Sequence, residues 1–129
     1  MNSGADGVRS TLRPNVLQNS GHNIRAPETG MVAFRFILTA SEVEEAAGKL
    51  RVMDPKQPPC FDQFLALDGS KREIIMYPCR HFELLNVLCI APKLLVSGWA
   101  SEPWLTPVEN DRLMEAFSDF GGPLQAFFR

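Results

Sequence analysis

The sequence predicts an α+β fold, in which a mixed or antiparallel β-sheet is flanked by short helices. Apolar runs of strand length follow one another between residues 30 and 99, and helix-start patterns occur before and after this block. Strands that are contiguous in sequence, with helices on either side, are typical of α+β proteins. A chain of 129 residues, of which 45% are hydrophobic, is long enough to form a globular unit with a buried core.

The first elements lie in the N-terminal half of the chain. A short helix is indicated at Ser10–Leu17, within a first thirty residues that are otherwise polar and interrupted by Gly and Pro. A strand is predicted over Gly30–Leu38, where apolar side chains recur at every second position. Arg35 places a charge on the other face of this strand. A helix is predicted next over Ser41–Leu50, because its first four residues, Ser41–Glu44, match a capping box.

A meander of further strands is predicted after a proline-rich loop at Arg51–Pro59. The strands are Phe61–Leu67, Glu73–Tyr77, Leu84–Ile90 and Leu94–Trp99. Asp68 and Gly69 form a turn that tolerates positive φ, and Arg80–Glu83 forms the next turn. Because Leu84–Ile90 is apolar nearly throughout, we expect it to be a central strand that is covered on both faces.

The C-terminal part predicts a helix over Pro107–Phe120 and a short final helix over Pro123–Phe128. Thr106 supplies the N-cap hydroxyl of the longer helix and Glu109 supplies the carboxylate of a capping box. The residues that we expect to be buried on this helix and on the first strand are Val32, Phe34, Phe36, Leu113, Phe117 and Phe120.

The charge balance excludes several classes of partner. Thirteen basic and fifteen acidic residues give a net charge of −2, which does not favour binding to nucleic acid or to an anionic membrane. The apolar runs are too short to cross a bilayer, and Met1–Asp6 does not have the pattern of a secretion signal. Cys60, Cys79 and Cys89 are an odd set at irregular spacing, so we expect reduced thiols and a cytoplasmic location. Even with His81 they match no metal-site spacing, and no metal is predicted.

The most informative segment is Gly4–Arg13. In it, Asp6 and Gly7 predict a tight turn that leads through Ser10 into the start of a helix. Such a turn can offer backbone N–H groups and a cation, here Arg13, to a phosphate, and a carboxylate to a sugar hydroxyl. From the residues alone this is a weak signal, because Asp-Gly turns are common.

The same segment resembles a family fingerprint. The order Ala-Asp-Gly, two residues, Ser, two residues, Arg over residues 5–13 is similar to the Asp-Gly fingerprint of class A flavoprotein monooxygenases. Downstream, Thr29–Arg35 resembles the strand that opens the substrate domain in salicylate-hydroxylase-like members. Ile75–Arg80 and Glu83–Val87 resemble the Tyr-Pro strand of the family and its Asn-bearing strand, and Trp99 with Pro107–Phe120 resembles its Trp and following helix.

The resemblance implies a fragment of an FAD-dependent, NAD(P)H-using monooxygenase that hydroxylates a phenolic ring. Residues 1–29 would be a remnant of the FAD-binding domain and residues 30–129 the substrate-binding sheet domain. Asp6, Gly7 and Arg13 would lie at the cofactor, while Arg13 and Arg35 are candidate substrate-pocket residues; no catalytic residue is assigned. The Gly-rich dinucleotide unit is expected in DNA upstream of this chain, so FAD is not expected to be retained by the chain alone.

Two alternatives remain open at this point. Arg35 either faces a substrate cavity or pairs with an acidic neighbour across the sheet, and the pairing is slightly favoured. Tyr77 and Asn86 are interpreted as polar groups of the sheet and core. The second function considered is a free-standing small ligand-binding or cone-fold isomerase-like module without flavin. Such a module needs a buried Asp/His or Asp/Tyr pair.

Overall fold

The computed structural model describes residue 7 and residues 10–17, 28–96 and 110–128. Its helices are α1 (Arg13–Leu17), α2 (Ala40–Ala47), α3 (Asn110–Ala116) and α4 (Gly122–Gln125). Its strands are β1 (Met31–Thr39), β2 (Asp62–Leu65), β3 (Glu73–Cys79) and β4 (Leu84–Pro92). Short 3₁₀ turns occur at Arg51–Met53, Lys93–Leu95 and Ala126–Phe128.

The strands form one antiparallel sheet in the order β1-β4-β3-β2. The predicted α+β fold is therefore confirmed, and the sheet is antiparallel throughout. β4 lies between β1 and β3, as its nearly continuous apolar sequence predicts. The register places Phe34 of β1 opposite Cys89 of β4, and Cys89 opposite Ile74 of β3.

One face of the sheet carries the core. Buried side chains at alternate positions of the three longer strands point to this face. Leu113 of α3, Phe117 just after α3 and Leu124 of α4 belong to the same cluster. The predicted burial of Val32, Phe34, Leu113 and Phe117 is confirmed. Phe36 and Phe120 are only partly buried, although both pack against the core.

The predicted capping box of the second helix is wrong by two residues. Thr39, not Ser41, is the N-cap: its hydroxyl accepts from the Glu42 N–H, and the Glu42 carboxylate accepts from the Thr39 N–H at 2.6 Å. Both registers fit the capping-box pattern, and Thr39 is selected because β1 ends there in an extended conformation. The helix ends at Ala47 instead of Leu50, because Gly48 adopts a φ of +70°.

Two further predictions near the C-terminus need correction. The strand expected over Leu94–Trp99 is wrong where the chain is described: Lys93–Leu95 forms a 3₁₀ turn, and the Lys93 N–H donates to the Gly30 carbonyl as the chain leaves the sheet. The rest of that strand lies outside the described residues, as do the predicted cap residues Thr106–Glu109. The helix predicted over Pro107–Phe120 corresponds to α3, which ends at Ala116 and not at Phe120. The short final helix is confirmed.

Arg72 joins the β2–β3 turn to the end of α3. Its side chain is only 8% exposed, and it donates to Asp68 and to Asp119 at 2.7 Å each. It also donates to the Ser70 hydroxyl at 2.8 Å and to the Ala116 carbonyl at 2.7 Å. We call this set the Arg72 network. Asp68 and Ser70 are close to Arg72 in sequence, but the contacts with Ala116 and Asp119 are long-range and no sequence pattern indicates them.

Acid is expected to destabilise the Arg72 network. Hydrogen bonds from Arg72 lower the pKa of Asp119, and bonds from Ser70 followed by Arg72 lower the pKa of Asp68 to about 2. A carboxyl group whose pKa is depressed by folding stabilises the fold above its unfolded pKa, about 4. That contribution is lost as the pH falls from about 4 towards 2. Urea unfolding at pH 5, 3 and 2 should show this loss.

An Asp119→Asn variant is the control for this pH dependence, because it removes one of the two titrating groups. We expect its midpoint urea concentration to fall less steeply between pH 5 and 2 than that of the unmodified chain. Equal slopes for the two proteins would contradict the assignment of acid sensitivity to Asp119.

Candidate functional site

The first candidate site is the turn that precedes α1. Gly7 has a φ of +74°, and its carbonyl accepts from the Ser10 N–H at 3.1 Å and from the Arg13 guanidinium at 3.2 Å. The Ser10 hydroxyl accepts from the Arg13 N–H at 3.1 Å, so Ser10 caps the helix start. Gly7, Ser10 and Arg13 are therefore brought together as the sequence predicts, whereas Asp6 lies outside the described residues.

This turn has the groups that can bind a phosphate. The positive φ at Gly7 turns the chain tightly, and the guanidinium of Arg13, a partly buried residue, makes an exposed hydrogen bond to that turn. An Arg guanidinium offers planar, charged N–H donors that match phosphate oxygens. α1 has only five residues, so its dipole adds little and the cation dominates the electrostatics.

The second candidate site is the face of the sheet opposite the core, which we call the open face. Strand alternation and register place Arg35 and Ile37 of β1, Asn86 and Leu88 of β4, and Ile75 and Tyr77 of β3 on it. Ile37, on the edge strand β1, is 58% exposed. These six residues form a largely apolar surface with three polar side chains. Gln63 and Glu73, which are hydrogen-bonded to each other at 2.7 Å, lie on the same face towards β2.

Two of these polar side chains contact each other across the sheet. The Arg35 guanidinium donates to the Tyr77 hydroxyl at 3.4 Å, although β4 lies between their strands. The prediction that Arg35 pairs with an acidic neighbour is therefore wrong within the described ranges, where its hydrogen bond goes to a neutral phenol and no ion pair forms. A cation that is held by a neutral group keeps its full charge for an anionic ligand.

Asn86 is the third polar side chain of the open face. It lies between Ile37 and Tyr77 in the register, and it is only 5% exposed. Its Nδ2 is buried and makes no hydrogen bond within the part of the chain that the structure describes. Asn86 is therefore a buried polar group of the sheet, as the sequence predicts, but its donor is unpaired, which is rare for a buried amide.

The β3–β4 turn sets this arrangement. Arg80, His81 and Phe82 all have positive φ, and the Glu83 N–H closes the turn on the Arg80 carbonyl at 3.1 Å. This turn pairs Cys79 with Leu84, and therefore Tyr77 with Asn86. The predicted turn at Arg80–Glu83 is the local signal for this pairing, because the length of a hairpin loop fixes its register.

The cysteines are free and do not form a site. Cys89 is buried in the core, and burial raises the pKa of its thiol to about 12. Cys60 and Cys79 are partly buried, and the described residues contain no disulfide and no cluster of metal-ligating side chains. Trp99, which is part of the family resemblance, lies outside the described residues.

Neither a membrane span nor an isomerase-type pair is found in the described structure. None of its helices is long and apolar enough to cross a bilayer. Within the same residues, the buried polar side chains are Arg72 and Asn86, so the Asp/His or Asp/Tyr pair that an isomerase-like module needs is not among them.

The chain is similar in sequence to FAD-dependent monooxygenases. It is 28% identical to salicylate hydroxylase of Pseudomonas putida over 130 residues, which cover 95% of this chain and 28% of that protein. It is 28% identical to the FAD-dependent monooxygenase ntnJ of Nectria sp over 116 residues, 90% of this chain and 25% of that protein. Hispidin-3-hydroxylase of Neonothopanus nambi is 28% identical over 126 residues, 91% of this chain and 28% of that protein. No protein-family model matches the chain.

The fold is similar as well. A solved salicylate hydroxylase in a substrate complex matches with a TM-score of 0.70 and 25% identity, over 96% of this chain and 30% of that one. The chain therefore spans between about a quarter and a third of the length of these relatives. The resemblance to FAD-dependent monooxygenases, salicylate hydroxylase included, is confirmed for one segment of those proteins.

Proposed function

We propose that this chain is a segment of an FAD-dependent, NAD(P)H-using monooxygenase that hydroxylates a phenolic ring. In this proposal residues 30–129 form the substrate-binding sheet domain, and residues 1–29 contribute to the FAD site. The observation that carries it is the open face, where a cation held by a neutral phenol stands among apolar side chains. Salicylate hydroxylase, a relative in both sequence and fold, acts on an aromatic compound.

The open face is suited to one side of an aromatic ring. Ile37, Ile75 and Leu88 supply an apolar surface, and burying a ring against such side chains contributes roughly 25 cal/mol per Å² of apolar area. Arg35 supplies a positive charge for a carboxylate or phenolate on that ring. The Tyr77 hydroxyl accepts a hydrogen bond of 3.4 Å from the guanidinium, which extends across β4.

The turn before α1 fits an edge of FAD. Gly7 allows a close approach of the backbone, and the Arg13 guanidinium is fixed beside it by the Gly7 carbonyl. We assign Asp6, Gly7 and Arg13 to the cofactor, with Arg13 also near the substrate pocket. The chemistry that FAD supplies when bound is transfer of one oxygen atom from O2 to an electron-rich ring, at the expense of NAD(P)H.

Ligand titration of the chain tests the substrate site directly. We expect salicylate to shift the backbone amide NMR signals of Arg35, Ile37, Tyr77 and Leu88. In an Arg35→Met variant the Kd for salicylate should rise about tenfold or more, because a charged hydrogen bond contributes about 1.5 to 3 kcal/mol. The Kd for uncharged phenol should change much less.

Arg51→Met is the control for the loss of an arginine. Arg51 lies in the 3₁₀ turn after α2, away from the open face. Its side chain is exposed and forms an ion pair with Asp62 of β2. Its removal should leave both dissociation constants unchanged. Shifts that map to another surface, or an Arg35→Met variant that binds salicylate as well as the unmodified chain, would contradict the proposal.

A further inference from the structure

Asn86 has an unused hydrogen-bond donor in the middle of the open face. Its Nδ2 is buried and has no hydrogen-bond partner in the described parts of the chain. Leaving a buried amide donor unpaired costs free energy, so such groups are rare in folded proteins. The side chain at this position is thus costly to the fold as it stands.

The register partners of Asn86 do not accept a hydrogen bond from it. Ile37, its partner in β1, is a hydrocarbon side chain, and the hydroxyl of Tyr77, its partner in β3, accepts from Arg35 and not from Asn86. Leucine has nearly the same size and would fill the position without an unpaired donor. The choice of Asn over an apolar residue is explained if its amide is paired when the open face is occupied.

A ligand can reach Nδ2 at low cost. Ile37 is 58% exposed and Arg35 is exposed, so either side chain can change rotamer without disturbing the core. The Arg35–Tyr77 hydrogen bond is long, at 3.4 Å, and exposed, so it adds little resistance to that movement.

We infer that Asn86 is a specificity-determining residue of the open face, whose Nδ2 donates to an oxygen substituent of the bound aromatic ring. The inference rests on the proposed function and makes it more specific. Arg35 lies diagonally across from Asn86 in the β1–β4 register, and such pairs are about 7 to 8 Å apart at their Cα atoms. The Arg35 side chain shortens this separation, because it reaches across β4 to Tyr77, the register partner of Asn86. Adjacent anionic and hydroxyl groups on one ring can therefore contact both residues. The ligand class is therefore a doubly oxygenated ring, such as a hydroxybenzoate.

The test compares salicylate with benzoate, which has the carboxylate but lacks the hydroxyl. In the unmodified chain we expect salicylate to bind about tenfold more tightly than benzoate, the equivalent of one well-placed hydrogen bond. The side-chain amide NMR signals of Asn86 should shift with salicylate and not with benzoate. This measurement needs no variant.

An Asn86→Leu variant separates a ligand-binding role from a structural one. We expect it to bind benzoate normally and to lose the preference for salicylate, while its Tm rises by about 4 °C because the unpaired donor is gone. Asn110→Leu, the same change at an exposed residue at the start of α3, should keep the preference.

Two results would overturn the inference. If both ligands bind the open face but the preference is absent or survives in Asn86→Leu, the role of Asn86 fails and the proposed function stands. If neither ligand binds the open face, both fail together.

Discussion

Arg72→Met is expected to lower the free energy of unfolding by about 3 kcal/mol. The guanidinium is buried and makes hydrogen bonds to Asp68, Asp119, Ser70 and the Ala116 carbonyl. Removing it leaves the carbonyl at the end of α3 without this buried donor. The two carboxylates are about half exposed and regain water, which keeps the loss below the largest values known for broken buried ion pairs.

Arg51→Met is the matched control for this prediction. Arg51 is 68% exposed and is paired with Asp62 at 3.4 Å. Exposed ion pairs of this kind contribute about 0 to 1 kcal/mol, so the variant should unfold at nearly the same urea concentration as the unmodified chain. An equal loss in the free energy of unfolding for the two variants would contradict the prediction that burial makes the Arg72 contacts more stabilising than an exposed ion pair.

The sheet was predictable because its strands obey local patterns. The alternation in β1 and the continuous apolar sequence of β4 are consequences of one buried face and of a central position, and both are visible without knowing the partners. The start of α2 was not decided by the local pattern. Thr39 and Ser41 each begin a capping box, and the end of β1 selects between them.

The candidate sites also differ in whether local sequence patterns could predict them. Gly7, Ser10 and Arg13 are close in sequence, so their turn could be predicted from spacing alone. The contact of Arg35 with Tyr77 depends on the pairing of β1 with β4, two strands separated by more than forty residues, and no local pattern specifies it. The sequence therefore indicated Arg35 as a candidate but predicted the wrong kind of partner.

Phe117→Ala is expected to have the largest effect on stability, a loss of about 4 kcal/mol. Phe117 is fully buried, and its ring lies 5.1 Å from that of Phe120 and 6.1 Å from that of Phe128. Removing the ring costs the transfer free energy of its carbons and leaves a cavity that neighbouring side chains fill only in part. Since Phe128 also contacts Phe36, the loss reaches β1, the strand that presents Arg35 on the open face.

Urea unfolding followed by circular dichroism measures this effect, with Phe61→Ala as the matched control. Phe61 is 63% exposed, so its truncation should change the free energy of unfolding by less than about 0.5 kcal/mol. A domain of this size has about 5 to 15 kcal/mol of stability in total, so Phe117→Ala should show a greatly lowered urea midpoint. If both variants unfold at similar urea concentrations, Phe117 does not lie at the centre of the core. Partial unfolding of Phe117→Ala would also weaken salicylate binding, whereas Phe61→Ala should bind salicylate normally.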